Sequence, residues 1–324
     1  MSKKAEILFL LKESRPEYIS GEEICQKINI SRTAVWKHIN TLREEGYVIE
    51  AVPNRGYSLV SVPDRLYADE IQEGLDTGFV GKAVFFYDSL FSTNRQARDL
   101  AQGGAVGGTL VVTEEQTAGK GRMGRGWYSP KGTGVTCSLI LRPAIEPGQA
   151  PPVTMLTAVA VASAVERVAG VSPGIKWPND LLLDGKKICG ILTEMNAEME
   201  RIHFLVVGVG INVNTDYFPE DIKDIATSLY LAGGRRVSRL DLLRRYLMEF
   251  EHYYQQWMDY GFGPVLEEWK KRCVTLNRPV RISTPRETWE GWAVDVDNTG
   301  ALVLRTDDGE LKNFVAGEVS LRTI

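Results

Sequence analysis

The chain has 324 residues, with 44% hydrophobic and 25% charged side chains and 38 Lys and Arg against 42 Asp and Glu. That is a globular composition too long for one ordinary core, suited to two or three domains. The net charge of −4 does not announce a nucleic-acid binder, although an average can hide a local basic face, and the absence of a run of about 18 apolar residues argues against a membrane span.

Four scattered cysteines (Cys25, Cys137, Cys189, Cys273) and three scattered histidines (His38, His203, His252) form no CxxC pair and no ligand cluster. This disfavours zinc sites and histidine-based triads and favours a reducing compartment, the cytoplasm. The opening MSKKAEILFLLKESRPEY starts like a signal peptide, but its apolar run ends at Leu11 and no small-residue cleavage site follows. A mature helix over 5–14 is therefore expected. Ser20 then caps GEEICQKI, NIS makes a turn, and Ser31 caps RTAVWKHINTLREEG, which stops at Gly46. Two short helices across a tight turn predict a helix-turn-helix over 21–40. Its second helix would turn Arg32, Thr33, Trp36 and Lys37 toward a major groove, with Ser31 free to reach a phosphate. YVIEAVPNRGYSLV adds two alternating strands, a wing with Arg55 at its tip. Residues 1–65 hold ten Lys/Arg and nine Asp/Glu, so bulk charge does not separate DNA binding from a small bundle used for protein contact. The acids gather on the second helix and at Glu44–Glu45, which leaves the third helix's first turn cationic.

After a linker around SVPDRL, strands are expected at AVFFYDSL, GTLVVTEEQ and GVTCSLILRP, with a helix at TNRQARDLAQGG. PPVTMLTAVAVASAVERVAG reads as a helix without a polar face, hence buried on most sides. Two strands around DGKK and another at RIHFLVVGVGINVN complete a mixed sheet of α+β type. Between two of the strands lies GKGRMGRGW, residues 119–127, with four glycines and three cations. It is not a nucleotide P-loop, because Gly121 is followed by Arg122 rather than by Lys-Ser/Thr. Glycines of this kind bring backbone N–H groups close to an anion, and Lys120, Arg122 and Arg125 add charged donors. A flexible surface loop with solvated cations satisfies the same composition. The second notable segment, KWPND followed by Lys187 at the end of the DGKK turn, supplies cations and oxygen-bearing side chains but no strong base or nucleophile. That inventory suits phosphoryl or adenylyl transfer, in which the protein chiefly stabilises negative charge. A long amphipathic helix (236–261) and PVLEEWKKRC follow. Last come short alternating strands separated by Asn-Thr-Gly and Asp-Asp-Gly turns.

Together, GKGRMGRGW, KWPND, DSLFSTN and GVGINVN behind a winged helix resemble the bacterial bifunctional biotin protein ligases that also repress the biotin operon, over essentially the whole chain. The resemblance implies a winged helix-turn-helix domain (1–64), a mixed-sheet catalytic domain of the biotin/lipoate ligase type (65–273) and a small SH3-like barrel (274–324). It implies formation of biotinyl-5′-AMP from biotin and Mg-ATP, then transfer to a lysine of the biotin carboxyl carrier protein of acetyl-CoA carboxylase. The repressor would bind operator DNA as a homodimer when loaded with that adenylate, and no membrane is involved. By the match, Arg122 and Lys187 are the catalytic cations. Ser92, Thr93, Asn94, Gln116, Gly119, Lys120, Gly121 and Gly190 join them around biotin, and Lys176, Trp177, Asn179 and Asn212 fall on the ATP and Mg²⁺ side. The metal is not held by the protein alone. One departure is Lys120, where the family's loop usually has arginine; charge is kept and the bidentate fork is lost. The residues by themselves leave open two other readings: a non-catalytic regulator that senses an anion, and a lipoate-attaching ligase. The latter is disfavoured by the winged helix and the Gly-Lys-Gly-Arg loop.

Overall fold

A computed structural model describes residues 2–284, 287–315 and 317–321. The chain divides into two compact units, Met1–Arg65 and Leu66–Ile324.

The first unit contains α1 (Lys3–Glu13), α2 (Gly21–Ile28), α3 (Arg32–Glu44), β1 (Val48–Val52) and β2 (Gly56–Ser61). Its helix starts are set by serine: Ser2, Ser20 and Ser31 each accept a hydrogen bond from a backbone N–H of the first turn. Asn29 adopts the left-handed conformation at the end of α2 and turns the chain into α3. Val35, Ile39 and Leu42 point inward at helical spacing and meet Ile7, Leu11, Ile24 and Leu59 in the core, each contributing about 1.5–3 kcal/mol. The strands pair antiparallel as the expected wing.

The second unit is built on a seven-stranded sheet. In chain order its elements are α4 (Ala68–Gln72), β3 (Val84–Tyr87), α5 (Thr93–Gln102), β4 (Leu110–Thr113), β5 (Val135–Leu141), α6 (Pro152–Ala169), β6 (Gly174–Lys176), β7 (Asp180–Leu183), β8 (Lys186–Glu198) and β9 (Arg201–Ile211). Then come α7 (Leu229–Gly233), α8 (Arg239–Tyr260) and α9 (Gly263–Arg272). Sheet order is β3-β4-β5-β9-β8-β7-β6, parallel only between β3 and β4. The short strand β6 and the helices α4 and α7 were not expected: each is three to five residues long, too short to show a period.

One helix passes a membrane-span test by composition alone and is nonetheless part of the core. Pro147–Ala169 is long and apolar enough to cross a bilayer by composition, but 78% of its apolar window is buried inside the unit. Its alanines let α8 and the sheet approach closely, so α6 forms the centre of the core with Leu243, Tyr246, Leu247 and Phe250 of α8.

The chain closes with β10 (Arg278–Ser283), β11 (Thr288–Val296), β12 (Leu302–Arg305), β13 (Leu311–Phe314) and β14 (Glu318–Leu321), an antiparallel sheet in the order β13-β12-β11-β10-β14. This is the small C-terminal sheet domain anticipated from the alternating strands, with Gly300 and Gly309 at positive φ in its turns.

Candidate functional site

The sheet register sets the floor of a cleft. Ser138 of β5, Gly208 of β9 and Leu192 of β8 lie side by side, and Gly210 lies beside Gly190 two pairs further on. Helix α5 crosses above them. A Cβ on Gly208 would sit 2.1 Å from Asn94 Oδ1, and one on Gly210 would sit 2.4 Å from the Trp127 ring. Glycine is therefore required at both positions for a helix and a loop to approach the sheet so closely.

Above that floor is a buried polar network. Thr93 N and Oγ1 donate to Gln116 Oε1 at 2.8 and 3.1 Å, while Ser138 Oγ lies 2.7 Å from Thr93 Oγ1 and 2.6 Å from Asn94 Oδ1. Asn94 Nδ2 donates to Leu192 O and to Glu194 Oε2 at 3.1 and 2.7 Å. Thr93 and Asn94 are 3% and 6% exposed, so these bonds fix their rotamers. Ser92 stands at the start of α5, yet its hydroxyl makes no capping bond and lines the cleft. A plain helix cap does not account for it.

Residues 119–127 form the roof, and they make a closed hairpin rather than a loose loop. Gly121 N donates to Arg125 O at 2.7 Å, Trp127 N to Gly119 O at 2.9 Å, and Lys120 bridges Gly126. Met123 at its tip has φ 56°, a left-handed conformation that costs a non-glycine residue about 1–3 kcal/mol. Gly119 is needed, since a Cβ there would meet Gln116 Nε2 at 2.7 Å; Gly121 has no such constraint, its nearest contact being 3.7 Å. Lys120 is exposed and lines the cleft.

The two cations expected to act meet at one dipeptide. Arg122 donates to Asn179 Oδ1 at 3.2 Å, and Lys187 Nζ lies 2.6 Å from Asp180 Oδ1 and 5.7 Å from the Trp127 ring centroid. Asp184 and Gly185, both at positive φ, turn β7 into β8 and so deliver Lys187 opposite Asp180. The Lys187 backbone is held by Ile225 O and Thr227 N at 2.8 and 2.9 Å. Burial lowers the pKa of the Arg122 guanidinium, opposed by Asp180 and Glu318. Burial likewise lowers Lys176, opposed by Asp180 and reinforced by Lys187. A second cleft of about 280 Å³ opens on the other side of Arg122, between Asn179, Thr154, Thr193 and Gly300.

Three residues expected on the nucleotide side are engaged in structural bonds. Trp177 is 2% exposed; its N–H donates to Thr275 Oγ1 at 2.9 Å and its Nε1 to Gly300 O at 3.0 Å, fastening the C-terminal sheet. Asn179 Nδ2 donates to Ile191 O at 2.7 Å, which orients its oxygen toward Arg122. Asn212 Nδ2 donates to Thr227 O at 3.0 Å, tying the end of β9 to the strap behind Lys187. Sequence reasoning passed over Trp127, Ser138, Asp180, Leu192, Glu194, Gly208 and Gly210. Trp127, Asp180, Gly208 and Gly210 lay inside motifs already noted. Ser138 and Glu194 gave no signal of their own, because only sheet register brings them to Asn94.

In the first unit Arg32, Thr33, Trp36, Lys37 and Arg55 are all exposed, and Trp36 is 59% exposed. Arg32 pairs with Glu22 at 2.8 Å, and Arg55 lies 4.2 Å over the Tyr18 ring. Ser31 is less free than expected: its Oγ accepts from Ala34 N at 3.2 Å, leaving its own proton to offer.

The Biotin/lipoate A/B protein ligase family profile matches residues 87–212, an HTH domain profile matches 3–58, and the Biotin protein ligase C terminal domain matches 275–322. Fold and site thus define a ligase joined to a DNA-binding domain. The Bifunctional ligase/repressor BirA of Bacillus subtilis is 42% identical over 98% of both chains, and that of Escherichia coli is 31% identical over 95% of this chain and 94% of its own. A solved structure of the biotin protein ligase from Aquifex aeolicus in complex with biotin and ATP superposes with a TM-score of 0.65 at 28% identity, over 74% of this chain and 99% of that one. The chain belongs to the family of bifunctional biotin protein ligases and repressors.

Proposed function

We propose that the Ser92–Gln116–Gly208 cleft binds biotin and that the hairpin closes over it while Mg-ATP is presented to the carboxylate. One biotin carboxylate oxygen attacks the α-phosphorus, the bond to the β-phosphate breaks, and pyrophosphate leaves. Biotin and triphosphate repel each other, so the step depends on fixed positive charge at the meeting point. Arg122 and Lys187 supply it, and their shared attachment to the Asn179–Asp180 dipeptide is the observation that supports this reading. An acceptor lysine on the biotin carboxyl carrier protein of acetyl-CoA carboxylase then attacks the acyl carbon as an amine, and AMP leaves.

Ser92, Thr93, Asn94 and Gln116 are assigned to the vitamin, with Gly119, Lys120 and Gly121 over it and Gly190 beneath. Lys176 serves the phosphates. Trp177, Asn179 and Asn212 are assigned as supports for the nucleotide side: Trp177 holds the C-terminal sheet, Asn179 aims Arg122, and Asn212 holds the strap behind Lys187. Magnesium prefers phosphate oxygens and water to an all-protein cage, and among the described residues no group of three potential ligands converges. Asp180, which lies against Lys187, is the carboxylate that would help hold the ion, and the ion would screen the triphosphate's charge. The division 1–64, 65–273 and 274–324 would separate DNA binding, chemistry and the small C-terminal sheet domain. All four cysteines are free thiols, which fits a cytoplasmic setting.

In the repressor role, the adenylate-loaded protein pairs two copies on a palindromic operator, with Arg32, Thr33, Trp36 and Lys37 in the major groove and Arg55 on the flank. Biotin-dependent exchange of pyrophosphate into ATP tests the ligase assignment and separates it from a simple sensor. Lipoate supporting exchange in place of biotin would reassign the substrate. Operator affinity that ignores biotin plus ATP would remove the corepressor role.

A further inference from the structure

The cleft between α5 and the hairpin encloses about 640 Å³, and the residues assigned above to the vitamin, Ser92, Asn94, Lys120, Gly121 and Arg122, make up only part of its lining. Its outer rim consists of Phe91, Arg95, Arg98, Asp99, Met123 and Glu194. Arg95 and Arg98 are three residues apart and share one face of α5. Both are exposed, and among the described residues neither hydrogen-bonds to Thr93, Asn94, Gln116 or Ser138 beneath them. Arg98 lies 3.8 Å from Glu194, and among the described residues Arg95 has no ion-pair partner. Counting the walls, Arg95, Arg98, Lys120 and Arg122 face Asp99 and Glu194, so the cleft is cationic. Two apolar side chains flank it, Phe91 at 68% and Met123 at 65% exposure.

A surface arginine on a helix is ordinarily just solvated. This pair differs in lining the mouth of the reaction cleft, between two exposed apolar groups, in an enzyme that must bring a protein lysine to that cleft. We propose that the rim docks an acidic, extended stretch of the acceptor protein, with Arg95 and Arg98 receiving carboxylates near the acceptor lysine in sequence. The span can be gauged along β8. Gly190 neighbours Lys187, and Glu194 neighbours Arg98. Four residues of strand separate them, about 13 Å, so the matching acids lie roughly three to five residues from the lysine on an extended chain. The inference rests on the ligase reading of the same cleft.

The test uses the full-length protein and a purified carrier domain bearing acids at that spacing. Arg95→Glu combined with Arg98→Glu should raise the KM for the carrier about tenfold or more, as loss of complementary charge does. Biotin-dependent pyrophosphate exchange should stay within about twofold of the parent. A carrier whose flanking acids are changed to lysine should recover with the reversed enzyme. If the reversed protein fails to fold, Arg95→Gln with Arg98→Gln gives the same readout with a smaller rise, about threefold. An unchanged carrier KM overturns the docking site. Parallel loss of exchange also overturns it, by placing the arginines in adenylation. No exchange in the parent protein would instead remove the ligase reading and this inference with it.

Discussion

On one side of the cleft Thr93, Asn94 and Ser138 are nearly out of water, Gln116 is half-buried, and the four satisfy one another through distances of 2.6–3.1 Å. On the other side Lys120, Met123 and Arg125 are exposed, and Arg122 rests on a single neutral oxygen. The first wall is rigid because every buried polar group already has its partner and would lose it by moving. The second wall carries an excess of positive charge, with Arg125 paired to Glu318 and Arg122 held by hydrogen bond, among the described residues, only to Asn179 Oδ1, so an anion can take over Arg122 at small cost. Recognition of an uncharged ring suits the first arrangement, and stabilising a developing phosphorane suits the second.

Substitutions should separate the two walls by what they change. The largest effect is expected for Lys187→Ala, which should slow adenylate formation about 10²–10³-fold, the range for removing one charge-stabilising group, with stability little altered. A full single-turnover rate in that variant would contradict the assignment. Arg122→Gly should release biotinyl-5′-AMP about tenfold faster or more, the loss of one charged hydrogen bond, while the fold is kept. Trapping experiments with labelled adenylate would read this, and unchanged dissociation would rule the role out. Ser138→Ala should behave the other way round, costing about 1–3 kcal/mol of stability by stranding Asn94 Oδ1. Urea unfolding checks it, and a variant as stable as the parent would show that the rigid wall is not rigid for the stated reason. The smallest change belongs to Glu318→Gln. Arg125 and Glu318 are paired across the hairpin and β14 but are 66% and 36% exposed, so less than about 1 kcal/mol should be lost. A larger loss by the same unfolding assay would mean that the hairpin is held from the C-terminal sheet.

The helices were legible where a cap and a period coincided: Ser20 and Ser31 before α2 and α3, and the proline and glycine that bracket α6. The wing was legible from Asn54 and Gly56, which supply the turn conformation. Within the site, Ser92, Thr93, Asn94, Gln116 and the hairpin could be named because they lie in compact motifs. Trp177 was assigned to the nucleotide from its neighbours in KWPND, whereas its indole proton goes to Gly300 O. No local pattern announces that contact, since the two residues are 123 positions apart.

Local chemistry in the chain was enough to determine the helices capped by Ser20 and Ser31 and a glycine-rich segment dense in Lys120, Arg122 and Arg125, because caps, turns and charge density act over a few residues. Tertiary structure alone decided which residues meet them. Sheet register set Ser138 and Gly208 beneath Asn94 and placed Glu194 within reach of its amide. The β7–β8 hairpin put Asp180 against Lys187, and packing of the C-terminal sheet turned Trp177 into a fastener. Such pairings depend on the relative placement of strands distant in sequence, which no short stretch encodes by itself.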